Sequence, residues 1–445
     1  MIEICTIGGF SEVGRNCVAV RVDDEVVIAD MGLHLENYIR YTEGEDEKPT
    51  DMTPKKLMDI SAVPDISYIE DWRRNVVAIV PSHAHLDHIG AIPFLARKFH
   101  ADIICTPFAR EVLLTMLHDE KIDLDNDIIS VKPNGRHRVS DKIEIELIGV
   151  THSIPETTSV AIHTPYGTVI YSNDFKLDAT PMLGPMTNIR RLKELGDDGV
   201  ACLIMDSLNS TKKGRTPSEK IAQDELAKLI LQDLDTKGKG IIVTTFSSHI
   251  ARLRSIVAIG KKLRRKVLFL GRSLSKYVEA ARTTGIERFD DVEVVKYKRK
   301  IKRRLKEIEH KKDKFLIVCT GHQGEPKSVL SRMVTGNLPY RLDSGDYVVF
   351  SCKVIPTETN IKARNELDLA ISAKGAHVFT DVHVSGHASS EEHRELIGYL
   401  RPKILIPSHG MHSLVGGSAK IAQELGYKLG KTVVMMRNGD RLRIV

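Results

Sequence analysis

The chemistry-bearing residues of this sequence concentrate in one short run, His83-Ala84-His85-Leu86-Asp87-His88. Three imidazoles and a carboxylate offer neutral nitrogen and anionic oxygen donors, a set that suits zinc well and manganese acceptably. A loop with this spacing can aim alternate side chains at two adjacent ions. With 18 His in 445 residues, chance supplies roughly 0.002 such matches, so the run reads as a metal site. One loop cannot fill two coordination spheres, and further ligands must come from elsewhere. His152, Asp174 and His409 each follow an apolar run, in Thr151-His152-Ser153, Asn173-Asp174-Phe175 and Ser408-His409-Gly410. That common position at the end of a strand makes them the candidates.

A second constellation is Asp381-Val382-His383-Val384-Ser385-Gly386-His387-Ala388. Strand-like alternation would put His383 and Ser385 on one face, and Gly386 would allow close backbone approach to a ligand. The helix expected at Glu391 to Leu400 would present free N–H groups at its start, a ready phosphate site. The same segment also reads as an ordinary capped helix start.

The elements that must carry these residues fall into two textures. Up to about residue 200, short β-branched runs read as strands: Cys17 to Val22, Val26 to Ala29, Val76 to Val80, Asp102 to Cys105, Lys142 to Leu147, Val160 to His163 and Thr168 to Tyr171. Helices are expected at Ile89 to Phe99 and Phe108 to Asp119, and the polar stretch 41–59 reads as an exposed insertion. From about residue 205, helices (Pro217 to Asp233, His249 to Leu263, 299–312) alternate with strands (Gly240 to Phe246, Lys266 to Leu270, Phe315 to Cys319, Tyr347 to Ser351). Such alternation argues a largely parallel sheet flanked by helices.

Composition excludes several classes. Hydrophobic residues make up 42% and charged residues 28%, which is ordinary for a globular protein and excludes a disordered or collagen-like chain. No apolar run approaches the ~18 residues that span a bilayer. The start Met1-Ile2-Glu3-Ile4 has neither the basic region nor the apolar core of a secretory signal. The six Cys are scattered without a CxxC pair, which argues against thiolate zinc or disulfides and makes a reducing cytoplasm the expected location. Net charge is +6, yet Lys296 to Lys314 holds eleven Lys or Arg against three carboxylates, a balance of +8. The rest of the chain is therefore near neutral, and the basic run reads either as a solvated helix face or as a polyphosphate-attracting one.

Taken together, these residues resemble the metallo-β-lactamase fold with a β-CASP insertion, and within it the ribonuclease J family in its short archaeal form. Besides the ligand run, the resemblance rests on Gly8-Gly9 with Glu12-Val13-Gly14-Arg15-Asn16, on Asp206-Ser207, and on the loops Phe246-Ser247-Ser248, Gly271-Arg272-Ser273 and Thr320-Gly321-His322-Gln323-Gly324-Glu325-Pro326. It rests also on His387 and His409, 22 residues apart. Asn173 departs from the pattern, standing where the family usually has Gly.

The resemblance implies an α/β architecture: a metallo-β-lactamase αβ/βα sandwich formed by 1–204 and 366–445, with the α/β β-CASP domain at 205–365 inserted in it. It implies two Zn²⁺ per chain (Mn²⁺ as the alternative), one held by His83, His85 and His152, the other by Asp87, His88 and His409, with Asp174 bridging. Asp87, His387 and Asp206 would be catalytic, with His387 the general acid and Asp206 its orienting partner. Ser385, Gly386 and His383 would hold a 5′ phosphate, and Ser247, Arg272, Ser273 and Gln323 would contact the RNA backbone. The implied activity is 5′-to-3′ exonucleolytic cleavage of single-stranded RNA with 5′-monophosphate ends, in a homodimer, with RNA-processing partners and no membrane. The alternatives are an endonuclease of the polyadenylation-cleavage type and a non-catalytic RNA-binding scaffold. Asp206-Ser207 and Ser385-Gly386-His387 favour the exonuclease over the endonuclease.

Overall fold

The structure, a computed structural model, describes residues 1–43 and 52–444. They form two compact units, one from Met1–Ala179, Pro185–Thr216 and Gly386–Val445, the other from Thr180–Gly184 and Pro217–Ser385. These divisions fall later in the chain than the expected 204/205 and 365/366. The Asp206 loop stays with the first unit because it continues strand Val200–Met205, and helix Glu358–Ser372 and strand His377–Phe379 complete the second unit.

The first unit stacks two sheets. One orders its strands as Arg441–Arg443, Ile2–Gly8, Cys17–Val22, Glu25–Ala29, Val76–Val80, Asp102–Cys105 and Ile128–Ser130. The other runs Ile404–Pro407, Val200–Met205, Gly167–Ser172, Thr158–Thr164, Glu144–Gly149 and Arg136–Arg138. Side chains of a strand alternate between faces, and these strands are apolar on both. Val160, Ile162, Val169 and Tyr171 join Val18, Val20, Val27 and Val80 in a core between the sheets. Ala161, Ile170, Leu203 and Met205 point the other way, onto Leu192 and Leu195 of helix Ile189–Asp198 and Leu396, Ile397 and Leu400 of helix Ser390–Leu400.

The second unit is one six-stranded sheet, ordered Val292–Val295, Lys266–Leu270, Phe315–Cys319, Ile241–Thr244, Tyr347–Phe350 and His377–Phe379, with every pairing parallel. Parallel strands need crossovers, which the helices Ile250–Lys262, Arg272–Thr283 and Lys298–Ile308 supply.

Three expectations change. The helix expected from Ile89 to Phe99 is three short pieces, Leu86–Ile89, Ile92–Leu95 and Ala96–Lys98, because Gly90 and Pro93 interrupt it. The strand expected through His383 and Ser385 is absent: Phe379 ends the last strand of the second unit, and Asp381 takes a left-handed backbone (φ 64°), outside the extended region of a regular strand. Of the exposed insertion, 44–51 lies outside the described residues, and Pro54–Asp59 is a short helix capped by Thr53.

Candidate metal centre

The run Val76–Val80 is a nearly all-buried strand, and the ligand loop begins where it leaves the sheet. Nε2 of His83 and Nε2 of His152 stand 3.1 and 3.2 Å from Nδ1 of His85. The same two Nε2 atoms lie 3.5 and 3.3 Å from Oδ2 of Asp174. One donor atom from each of these four residues falls within 4.8 Å of all the others. A second group, Asp87, His88 and His409, meets the same limit. Asp174 touches both groups, with Oδ2 3.4 Å from Nε2 of His88 and Oδ1 3.5 Å from Nδ1 of His409.

Hydrogen bonds outside the cluster aim the rings. Nδ1–H of His88 donates to Oδ2 of Asp30 at 2.5 Å, which turns Nε2 inward. Asp30 is itself held by the backbone N–H and hydroxyl of Ser82. Nδ1–H of His152 donates to the Gly386 carbonyl at 2.7 Å. A carboxylate or carbonyl behind a ligand imidazole fixes its tautomer and raises its basicity. Asn173, the departure from the family pattern, earns a place here: its Nδ2 lies 3.2 Å from Nδ1 of His409, and its Oδ1 accepts from Ser408.

Electrostatics favours a cation. Burial, reinforced by the neighbouring His88, holds His83 well below the usual histidine range; burial likewise depresses His152, and His85 to about 4. These three imidazoles are therefore neutral donors. Burial would raise the Asp87 and Asp174 carboxyls, but His88 and His409 pull both down, and the two stay ionised. Burial would lower His88, yet Asp174, Asp30 and Asp87 hold it well above the usual range. Oδ1 of Asp174 is buried without a hydrogen bond. Converging imidazole nitrogens and buried carboxylates without enough protons between them fit a pair of borderline cations, and no thiolate contributes.

His387 stands beside this cluster. Its Nδ1 is 2.8 Å from Oδ2 of the fully buried Asp206, and its Nε2 is 3.9 Å from Oδ2 of Asp174. Burial would lower its pKa, but Asp206 and Asp174 raise it to about 9. Oδ1 of Asp206 accepts from the Leu208 N–H. The Asp206 carbonyl faces Nε2 of His393 at 2.8 Å.

Residues 62–194 match the β-lactamase superfamily domain, 238–366 the ribonuclease J β-CASP domain, and 375–434 the Zn-dependent metallo-hydrolase RNA specificity domain. Ribonuclease J of Methanocaldococcus jannaschii is 40% identical over 444 residues, covering 99% of this chain and 98% of the relative. The chain belongs to the ribonuclease J family. Ribonuclease J of Pyrococcus abyssi is 38% identical over 446 residues, covering 100% and 97%. A solved structure from Enterococcus faecalis, described as a protein of unknown function, superposes with a TM-score of 0.65 at 17% identity over 99% of both chains, a likeness of fold. The first unit is thus a metallo-β-lactamase domain, and the second carries the β-CASP domain.

All seven expected ligands, with Asp206, Gly386 and His387, lie in the first unit of this ribonuclease J family member. His383, Ser385, Ser247, Arg272, Ser273 and Gln323 lie in the second. There the hydroxyls of Ser247 and Ser273 meet at 3.0 Å, beside the exposed Arg272. Gln323 is buried, and its amide is spent on the backbone: Nε2 donates to the Lys353 carbonyl and Oε1 accepts from the Ile355 N–H. It braces that loop, and this geometry does not offer its amide to RNA. The helix start after His387 is the capped one. N–H groups of Ala388, Ser389, Ser390 and Glu391 go to Phe175, Glu392, Lys212 and Gly214, so no free phosphate cradle exists there. Sequence reasoning missed Asp30, although the signal was present: it follows the apolar run Val26-Val27-Ile28-Ala29 just as Asp174 follows its own strand.

Proposed function

We propose that this protein is a two-zinc ribonuclease that degrades single-stranded RNA mainly from 5′-monophosphate ends. The observation that carries the reading is the convergence of seven nitrogen and oxygen donors beside the His387–Asp206 pair. A phosphodiester leaving group needs a proton, and the His387–Asp206 pair is placed to supply it.

His83, His85 and His152 would hold one ion, Asp87, His88 and His409 the other, and Asp174 both. When bound, two such cations lower the pKa of water and neutralise charge growing on a phosphoryl oxygen. The remaining work falls to the chain. His387 offers the proton on Nε2 to the departing 3′ oxygen, and Asp206 keeps Nδ1–H engaged so that Nε2 faces the cluster. Asp30 and the Gly386 carbonyl hold His88 and His152 in register. Ser385 and Gly386, with His383 near them in sequence, receive the terminal phosphate, while Ser247, Arg272 and Ser273 contact the RNA backbone. A terminal-phosphate site one nucleotide from the metal centre would readmit each newly made 5′ end, which gives stepwise degradation. Among the described residues no helix is long and apolar enough to cross a membrane.

The test uses one single-stranded RNA with a 5′ monophosphate or triphosphate, labelled at its 3′ end, with His83→Ala beside the native protein. The reading expects a ladder shortening from the 5′ end of the monophosphate RNA alone, absent in the variant. Discrete internal cuts indifferent to the 5′ state would replace it with the endonuclease.

A further inference from the structure

The basic run forms one wall of a groove on the second unit. Helix Lys298–Ile308 buries Ile301, Leu305 and Ile308, an i, i+4, i+7 stripe, and turns its cations outward. Between this helix and the edge strand Val292–Val295 lies a groove of about 450 Å³ whose lining includes Lys296, Tyr297, Lys300 and Arg303. The groove's two carboxylates, Glu293 and Glu307, both bind Arg304, at 2.7 and 3.0 Å, and Glu307 also pairs with Arg303 at 3.9 Å. Lys298, Arg299, Lys302 and Lys306 on the same helix are exposed, with no ion-pair partner among the described residues. Tyr297 is 55% exposed, unusual for so large a ring, and the ammonium groups of Lys296 and Lys300 lie 5.7 and 5.9 Å from its centroid.

An exposed aromatic ring flanked by cations is the pairing that single-stranded nucleic acid uses, with a base on the ring and phosphates on the cations. Topology adds an independent argument. In a parallel sheet all strands end on one edge. Leu270 pairs with Val295 and Cys319, and Cys319 with Thr244. Ser247, the first turn of helix Arg272–Thr283 with Arg272 and Ser273, and Tyr297 therefore all follow strand ends on the same edge, and the Gly271 N–H bonds the Val295 carbonyl. Three strand steps, about 14 Å, separate the Ser247 loop from Tyr297. An acidic protein would exploit the charge but would not require the ring or this continuity.

We infer that the Tyr297–Lys300–Arg303 groove is a docking track for single-stranded RNA, continuing the path along the Ser247, Arg272 and Ser273 loops. The inference rests on the ribonuclease reading, and it makes long RNA a tighter ligand than short RNA.

The full-length protein is compared with Lys300→Glu/Arg303→Glu, with Tyr297→Ala, and with Lys428→Glu/Lys431→Glu, which makes the same charge change on the first unit. Affinity for fluorescent 20-nucleotide and 4-nucleotide RNAs is measured against salt in chelator, and cleavage of the 4-mer is followed with zinc. The groove reversal is expected to weaken 20-mer binding roughly tenfold and to flatten its log–log salt slope by about 1.4. Tyr297→Ala should weaken 20-mer binding several-fold with an unchanged slope. The control should do neither, and 4-mer cleavage should stay within about twofold throughout. If the native protein cleaves the 4-mer but the reversal leaves 20-mer affinity and slope unchanged, the groove assignment fails alone, as it would for a protein-binding groove. If the native protein neither binds nor cleaves RNA, the groove and the ribonuclease reading fail together.

Discussion

Gly386 has no room for a side chain: a Cβ there would stand 2.9 Å from the His152 ring, whose Nδ1–H its carbonyl receives. Gly386→Ala should displace His152 while leaving the fold intact. Misplacement of about 1 Å near reacting atoms costs on the order of 10²-fold in rate, and that loss is expected with an unchanged melting temperature. A fall in melting temperature matching the loss of activity would instead make Gly386 a folding residue. Asp30 is the complementary case, reaching the site through His88 and Ser82. Asp30→Asn should weaken zinc binding about 10- to 100-fold, as removal of a carboxylate behind a metal-bound imidazole does elsewhere. Competition with a chelating dye reads this directly, and native-like affinity would deny Asp30 its orienting role.

Elements position these residues through a few buried polar ties. Glu392, fully buried at the start of helix Ser390–Leu400, accepts N–H groups from Leu177, Thr216 and Ser389. It thereby ties the segments after Asp174 and Asp206 to the one after His387. Glu392→Ala would orphan three buried donors, at roughly 1–3 kcal/mol each, and should lower stability by about 3–5 kcal/mol in urea unfolding; a loss under 1 kcal/mol would contradict the assignment. Within the second sheet of the first unit, burial alone would raise the Glu146 carboxyl, but hydrogen bonds from His163 and Arg191 hold it at about 2. A folded pKa below the unfolded value of 4.5 means stabilisation that is complete above pH 4.5 and lost as pH falls through 2. Glu146→Gln should therefore cost about 2–3 kcal/mol at pH 7, with the deficit shrinking steadily below pH 4.5. A deficit constant down to pH 3 would assign the effect to packing.

The convergence of the candidate ligand loop with His152, Asp174 and His409 was legible in the sequence because each follows an unmistakable apolar strand. The parallel sheet was legible from its helix–strand alternation. Strands Val292–Val295 and Arg441–Arg443 escaped notice because edge strands of three or four residues with charged members carry no pattern, and the buried strands Ile2–Gly8 and Val200–Met205 also lay outside the expected set. The fate of Gln323 escaped too, since an amide facing two backbone groups is set by tertiary packing alone.

At the scale of the whole chain, the first unit is assembled from segments on both sides of the second. His83 through Asp206 precede the insertion, whereas His387 and His409 follow it. Strand Ile404–Pro407, which delivers His409, pairs in parallel with Val200–Met205, and Arg441–Arg443 pairs with Ile2–Gly8. The proposed ligand set is therefore complete only when the final segment has docked, and on that proposal metal binding is coupled to the docking. Folded protein loaded with zinc should melt several degrees above protein stripped by chelator. The most direct test of the account is titration of stripped protein with zinc while following cleavage of a 5′-monophosphate single-stranded RNA. The account predicts no cleavage without metal, and activity that rises until two equivalents per chain are bound. Undiminished cleavage by stripped protein, or full activity in His409→Ala, would contradict it.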